Sequence, residues 1–181
     1  MIRNSDSIML RVPEPADIET LLQWENNQEL WHAGQTNIPF SRFAMEQFIL
    51  DSSNDAFEQK QVRFIIEETA TKKSIGTVDL FDINALHRRA AVGIMIVKPY
   101  RKQGFAKAAL EKIEDYAFHD LWLQQIYATL KSDNPESMQL FLSFGFEQTG
   151  TKKAWIKTPN RYLDELFMQK LNPYYHEQKK E

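Results

Sequence analysis

The sequence predicts a mixed α/β fold (α+β in some schemes): a mostly antiparallel sheet of six to seven strands with helices on both faces. Two observations carry this. Three strand-like runs separated by short polar turns lie between Val62 and Val97, the pattern of antiparallel neighbours. They feed into a β-α-β-α succession that contains the clearest amphipathic helix of the chain, from Phe105 to about Leu121.

The elements follow in order. Ile8-Met9-Leu10-Arg11-Val12 reads as a short strand, and Pro13 and Pro15 end it. Asp17 precedes Ile18, Leu21, Leu22 and Trp24 at helical spacing. Ser41 to Leu50 reads as a second helix with Ser41 as its cap. Val62–Glu67 and Ser74–Phe81 are strands, with Gly76 placed for a bulge or a close approach. Ala90–Val97 is an apolar run suited to a buried central strand. In the long helix Ala106, Ala109, Leu110, Ile113, Tyr116 and Ala117 share a face. Gln125–Leu130 is a strand. Asn134-Pro135 opens a further helix, since Asn caps and Pro fits the first turn, where its missing N–H costs nothing. Gly145 stops that helix, and strands near Phe146–Thr151 and Tyr162–Leu171 close the chain.

A length of 181 residues fits one domain, placed at 1–173, with a polar tail over 174–181. At 43% hydrophobic and 12% aromatic, the chain can fill a core. A net charge of −3 argues against nucleic acid as a partner. No stretch is apolar enough to span a membrane and no apolar leader opens the chain, so the expected setting is cytoplasmic. The absence of cysteine excludes disulfides, thiolate metal sites and a cysteine nucleophile. The four histidines have no paired ligand spacing, so no metal site is expected.

Chemistry concentrates in one segment: strand Ala90–Val97, loop Arg101-Lys102-Gln103-Gly104-Phe105-Ala106, then the long helix. A loop entering a helix N-terminus points several N–H groups one way, and the helix dipole adds partial positive charge, which suits a pyrophosphate. Gly104 allows close backbone approach, Ala106 keeps the first turn clear, and Arg101 and Lys102 attract anions at longer range. Taken alone, the same residues also fit an ordinary strand-to-helix junction. The glycine spacing and Lys-Ser/Thr pair of a Walker loop are missing, and so are two of the three glycines of a dinucleotide fingerprint.

Arg101-x-x-Gly104-x-Ala106 resembles the acetyl-CoA signature of the GNAT N-acetyltransferases, in which Arg or Gln is followed by x-x-Gly-x and then Gly or Ala. Tyr100 and the preceding strand fit it as well. A second family motif, an Asn capping a helix that ends in Gly-Phe, is matched by Asn134 through Gly145-Phe146. The resemblance runs from Ile8 to Leu171. Trp24-Glu25-Asn26, Ser41-Arg42-Phe43 and Tyr162-x-Asp164-x-x-x-Met168 make the chain most similar to the branch holding ribosomal-protein and spermidine acetyltransferases.

The resemblance implies acetyl-CoA as cosubstrate, lying in a split between two central parallel strands. By match, Met95 and Ile96 offer backbone groups to the pantetheine arm, and the amides of Arg101, Lys102, Gln103, Gly104, Phe105 and Ala106 hold the pyrophosphate. Asn134 hydrogen-bonds the pantetheine, a role compatible with capping its helix. The implied activity is N-acetyl transfer to a primary amine, either a polyamine or other small amine or a protein N-terminus, by direct attack in a ternary complex. The amine titrates near 10, so a carboxylate is expected to take its proton.

Two positions depart from the family. Phe141 stands where the usual tyrosine protonates the departing thiolate, and Ala91 stands where a glutamate is often found. Phe141 then becomes a wall along the pantetheine. Glu25, Asp79, Asp82 and Tyr100 are the replacement candidates for catalysis, with a solvated surface role as the alternative for each, and Tyr127 and Tyr162 are further candidate acids. Glu25, Glu29, Trp24, Trp31, Phe40 and Phe43 on the front helices combine carboxylates with aromatic rings, as a cationic amine requires, although Trp24 and Trp31 also fit a shared core face. His32 and His87 read as surface residues. The missing catalytic side chains leave a second reading open, a non-catalytic acyl-CoA-binding module. Family members often pair through late strands, so Trp155, Tyr162 and Phe167 are candidates for a homodimer contact.

Overall fold

The computed structural model describes residues 7–27, 38–51 and 55–174. Seven strands form one sheet: β1 (Ile8–Arg11), β2 (Val62–Glu68), β3 (Ser74–Asn84), β4 (Arg89–Ile96), β5 (Gln125–Lys131), β6 (Glu147–Lys157) and β7 (Tyr162–Leu171). Their spatial order is β1-β2-β3-β4-β5-β7-β6. Every neighbouring pair is antiparallel except β4 and β5, which run parallel because a helix connects them.

Helices cover both faces. Alternation along β2 sends Ile65 and Ile66 to opposite sides. Ile65 meets α1 (Ile18–Glu25) and α2 (Arg42–Asp51) through Ile18, Leu21, Met45 and Ile49. On the other face Ile66, Val78, Leu80, Val92, Ile126 and Met168 form the larger core with α4 (Phe105–Asp115) and α5 (Pro135–Ser143). A one-turn helix, α3 (Ala56–Gln59), leads into β2. The expected mixed, mostly antiparallel sheet with helices on both faces is the fold observed.

The expected caps form. Ser41 Oγ accepts from the Ala44 N–H at 3.1 Å and Asn134 Oδ1 from that of Ser137 at 3.1 Å. Gly76 is a close approach: it lies opposite Ile96, and a Cβ there would overlap the Met95 carbonyl oxygen.

Two expectations are corrected. The long helix is not α-helical to Leu121. Tyr116–Asp120 form a π turn, with the Leu121 N–H bonded to the Tyr116 carbonyl, and consecutive Ala117 and Phe118 are both buried. β6 extends well past Thr151. Its second half lacks apolar alternation and is held by β7 through Lys152–Glu165 at 2.6 Å and Lys153–Asp164 at 2.8 Å. Phe146 lies before β6, buried edge-to-face against Phe141 at 4.9 Å.

Candidate active site

The sheet opens along its parallel pair. β4 and β5 are joined only at Arg89–Gln125, Ala90–Ile126 and Ala91–Tyr127. Beyond Ala91 the two strands become opposite walls of a cavity of about 800 Å³, with Val92 to Ile96 on one side and Thr129 to Lys131 on the other. Along β3 the Val97 N–H donates to the Ile75 carbonyl at 2.9 Å, which fixes the ladder phase. Alternation then turns the backbone groups of Met95 toward Thr77 and those of Ile94 and Ile96 toward the gap.

The loop at the end of β4 is built around two left-handed residues, Lys102 (φ 59°) and Gly104 (φ 88°). Gly104 is the N-cap of α4, where a side chain would be strained. The Arg101 Nε–H donates to the Ile96 carbonyl at 2.8 Å, and the Gln103 side-chain amide donates to the Pro99 carbonyl at 2.8 Å. Both side chains thus shape the loop. Phe105 is fully buried and anchors the helix start, so only its backbone is on offer to a ligand. Tyr100, Arg101, Lys102, Gly104 and Ala106 line the cavity, as do Met95, Ile96, Asn134 and Phe141. Lys102 pairs with Glu136 at 2.9 Å across the mouth, and this holds the Glu136 carboxyl below its ordinary range.

At the other end the lining consists of Trp24, Glu25, Phe48, Arg63, Asp79 and Phe81. The Arg63 Nε–H donates to Asp79 Oδ1 at 2.7 Å and an Nη2–H to Asp79 Oδ2 at 3.1 Å. An Nη1–H donates to Glu25 Oε1 at 2.6 Å. Burial alone would lower the Arg63 pKa, but Asp79 and Glu25 outweigh it and the guanidinium is held firmly charged. Glu25 and Asp79, read from sequence as independent candidates, are therefore two ends of one ion-pair network. Arg63 itself carries no motif and was not among the expected residues.

The remaining candidates scatter. Asp82 and Tyr127 lie beyond the cavity wall; burial first, then the Asp82 carboxylate, push the Tyr127 phenol up. Tyr127 stacks on Phe167 at 5.1 Å, whereas Trp155 and Tyr162 are exposed. Phe40 packs beside the α1–α2 cluster, whereas Phe43 is exposed. His87 is exposed in the turn between β3 and β4. Glu29, Trp31 and His32 lie outside the described residues. Among the described residues no group of His, Cys, Asp and Glu is placed to hold a metal ion, and no helix is long and apolar enough to cross a membrane.

The chain is similar to known proteins. The chain is 29% identical over 161 residues to a spermidine N(1)-acetyltransferase of Vibrio cholerae, covering 88% of this chain and 90% of that protein. It is also 29% identical over 159 residues to the uncharacterized N-acetyltransferase YoaA of Bacillus subtilis, covering 86% and 88% respectively. The crystal structure of the Vibrio cholerae spermidine N-acetyltransferase in complex with CoA and spermine superposes with a TM-score of 0.83 at 27% identity. That match covers 94% of this chain and 99% of the other. These relatives agree with the spermidine side of the expected branch. The acetyltransferase (GNAT) domain model matches residues 7–147, most of the sheet and both helix layers, and on that match the chain belongs to the GNAT acetyltransferase family.

Proposed function

We propose that the protein is an acetyl-CoA-dependent N-acetyltransferase acting on a small primary amine. The observation that carries this is the continuity of the β4–β5 gap with the Gly104 loop in one cavity. A linear ligand with a pyrophosphate at one end and amides along its arm fits these residues. The loop amides through Ala106 and the N-terminus of α4 face the anion, and the gap-facing backbone of Ile94 and Ile96 meets the arm. This reading replaces Met95 with Ile94 as the strand contact, because Met95 is committed to Thr77. Asn134 spends its Oδ1 on the Ser137 N–H and keeps its amide NH2 for the arm.

Bound acetyl-CoA supplies the thioester that a neutral amine attacks. The side chains do the rest. Glu25 and Asp79 draw the acceptor ammonium to the far end of the cavity, between Trp24, Phe48 and Phe81. A water beside these carboxylates relays the ammonium proton to a carboxylate oxygen, which returns it to solvent, since both carboxylates are also engaged by Arg63. A gap-facing N–H near Ile96 meets the developing oxyanion. Tyr100 is the phenol of the cavity wall and the candidate donor to the thiolate, because Phe141 has no proton to give. Spermidine and spermine, acceptors of the relatives, belong in the test panel with simple monoamines and peptides.

The deciding experiment measures CoA-induced stabilisation and thiol release over that amine panel. Stabilisation with turnover supports the enzyme. Stabilisation without turnover supports the second reading, an acyl-CoA-binding module, which Phe141, Ala91 and the tied carboxylates favour. No stabilisation overturns both.

Two organisational readings accompany this one. The closure of the sheet and both helix layers between Ile8 and Leu171 supports a single domain over 1–173. The outer strand β6 is exposed on both faces, with Trp155 at 61% and Tyr162 of β7 at 60%, which supports a homodimer contact there; sedimentation as a monomer at micromolar concentration removes it.

A further inference from the structure

We propose that the Thr77 hydroxyl binds and orients the acceptor amine, accepting a hydrogen bond from its N–H so that the nitrogen lone pair faces the thioester. The inference rests on the acetyltransferase reading above and deepens it.

Thr77 lies on β3 opposite Ile65 of β2 and Met95 of β4. Ile65 packs against α1 and α2, and directly opposed residues share a face, so the Thr77 side chain is on that face of the sheet. Asp79 and Phe81 take the next two positions of the same face, where a Cβ at Gly93 would stand 3.9 Å from Asp79 Oδ2 and 3.3 Å from the Phe81 ring. Thr77 is only 5% exposed, and it lines the cavity. Among the described residues its Oγ1 has no hydrogen-bond partner. A hydroxyl taken out of water and left unpaired costs free energy, and valine, as at neighbouring Val78, has the same shape without that cost. The fold alone therefore gives no reason for an oxygen here, whereas a guest in the cavity does. Because Thr77 is paired with Met95, it lies level with the stretch of β4 between Ile94 and Ile96, whose backbone faces the gap. A neutral primary amine has two N–H groups and one lone pair. One N–H donates to Thr77 Oγ1. The other is left for the water beside Asp79, about 7 Å further along the strand. With both N–H groups held, the lone pair points at the thioester, the geometry from which attack proceeds.

The test measures kcat/KM for hexylamine and for the amine of the panel that the wild type uses best, together with the CoA Kd and the Tm of each variant. Thr77→Val removes the oxygen and keeps the shape. Its kcat/KM is expected to fall about tenfold and its CoA Kd to stay within about twofold, while the Tm holds or rises because an unpaired buried hydroxyl is gone. Thr77→Ser keeps the oxygen and loses a methyl, so kcat/KM stays within about threefold of wild type while the Tm falls. Activity and stability then move in opposite directions across the two variants, which a purely structural role does not produce. Wild-type kcat/KM in Thr77→Val overturns the inference. So does a lowered Tm in Thr77→Val, which assigns the hydroxyl to the fold, or a CoA Kd weakened as much as kcat/KM, which assigns it to the cofactor. An equal loss of kcat/KM in the two variants overturns it as well. In each of these cases the acetyltransferase reading stands. A wild-type protein that acetylates no amine overturns that reading and this inference with it.

Discussion

Arg101 turns its Nε–H back onto the carbonyl of Ile96 at 2.8 Å, tying the side chain that opens the loop to the last residue of the strand before it. The loop therefore inherits its position from the sheet. Arg101→Ala is expected to weaken CoA binding about tenfold, the worth of one hydrogen bond from a charged group, with the fold retained. Calorimetry at two salt concentrations checks the cause. A loss that persists at high salt reflects loop geometry, whereas one that vanishes marks simple attraction between charges.

Gly104 sits at φ 88°, where a β-branched side chain costs about 1–2 kcal/mol in the fold. Gly104→Val is expected to fold with a lowered Tm and to lose ligand stabilisation. For the wild type that stabilisation is about 2.7 kcal/mol at a hundred times the Kd. A variant that melts higher in CoA by the wild-type increment means that the loop is not the cradle.

Phe141 is both core and wall: buried edge-to-face on Phe146, yet lining the cavity. Phe141→Ala is expected to cost about 3–5 kcal/mol of stability. The family resemblance sets Phe141 at the place of the usual acid, and Phe141→Tyr tests that match by adding a hydroxyl there. Turnover holds or rises, by at most the 10²–10⁴-fold that a general acid typically contributes. A drop in Tm with unchanged CoA affinity and unchanged turnover identifies Phe141 as core alone.

Asp17 joins β1 to α1, the helix that carries Trp24 and Glu25. Its carboxylate accepts two hydrogen bonds from Arg11 at 2.7 and 2.8 Å and one from the Glu14 N–H at 2.9 Å. Arg11 first, and the Glu14 amide, hold the Asp17 carboxyl below its ordinary value of 3.8, against the opposing effect of burial. The depressed folded-state pKa means stability that is full above the unfolded value and lost as pH falls through the folded one. Asp17→Asn is expected to cost about 2 kcal/mol at pH 7, and less as the pH drops below 3.8. Chemical denaturation across that range, wild type against variant, measures the convergence.

Local features were legible in the sequence. Ser41, Asn134 and Gly104 act on their own neighbours within a few residues, so residue type alone announces them. The Arg63 network was not, because its partners lie 38 and 16 residues away and meet only when α1 docks on the sheet. Met95 and Ile94 are equally apolar, and only the ladder phase set by Val97 and Ile75 tells which of them faces the gap. The far half of β6 was hidden for a related reason: its charged residues are held by partners on β7, not by burial of their own apolar face.

The three-pair junction between β4 and β5 has a consequence for what the protein recognises. A sheet that parts along one seam leaves a lane as wide as a guest chain, edged by main-chain amides at strand spacing. A molecule with peptide-like bonds along a thin flexible arm can lie there as a borrowed strand, read by the grammar the protein uses to pair its own chain. Recognition of the arm then depends little on side-chain identity, and substitutions along the seam are tolerated so long as the backbone keeps its course. The two ends of the lane are where side chains and loop geometry differ most, the glycine loop at one and the arginine-bound carboxylates at the other.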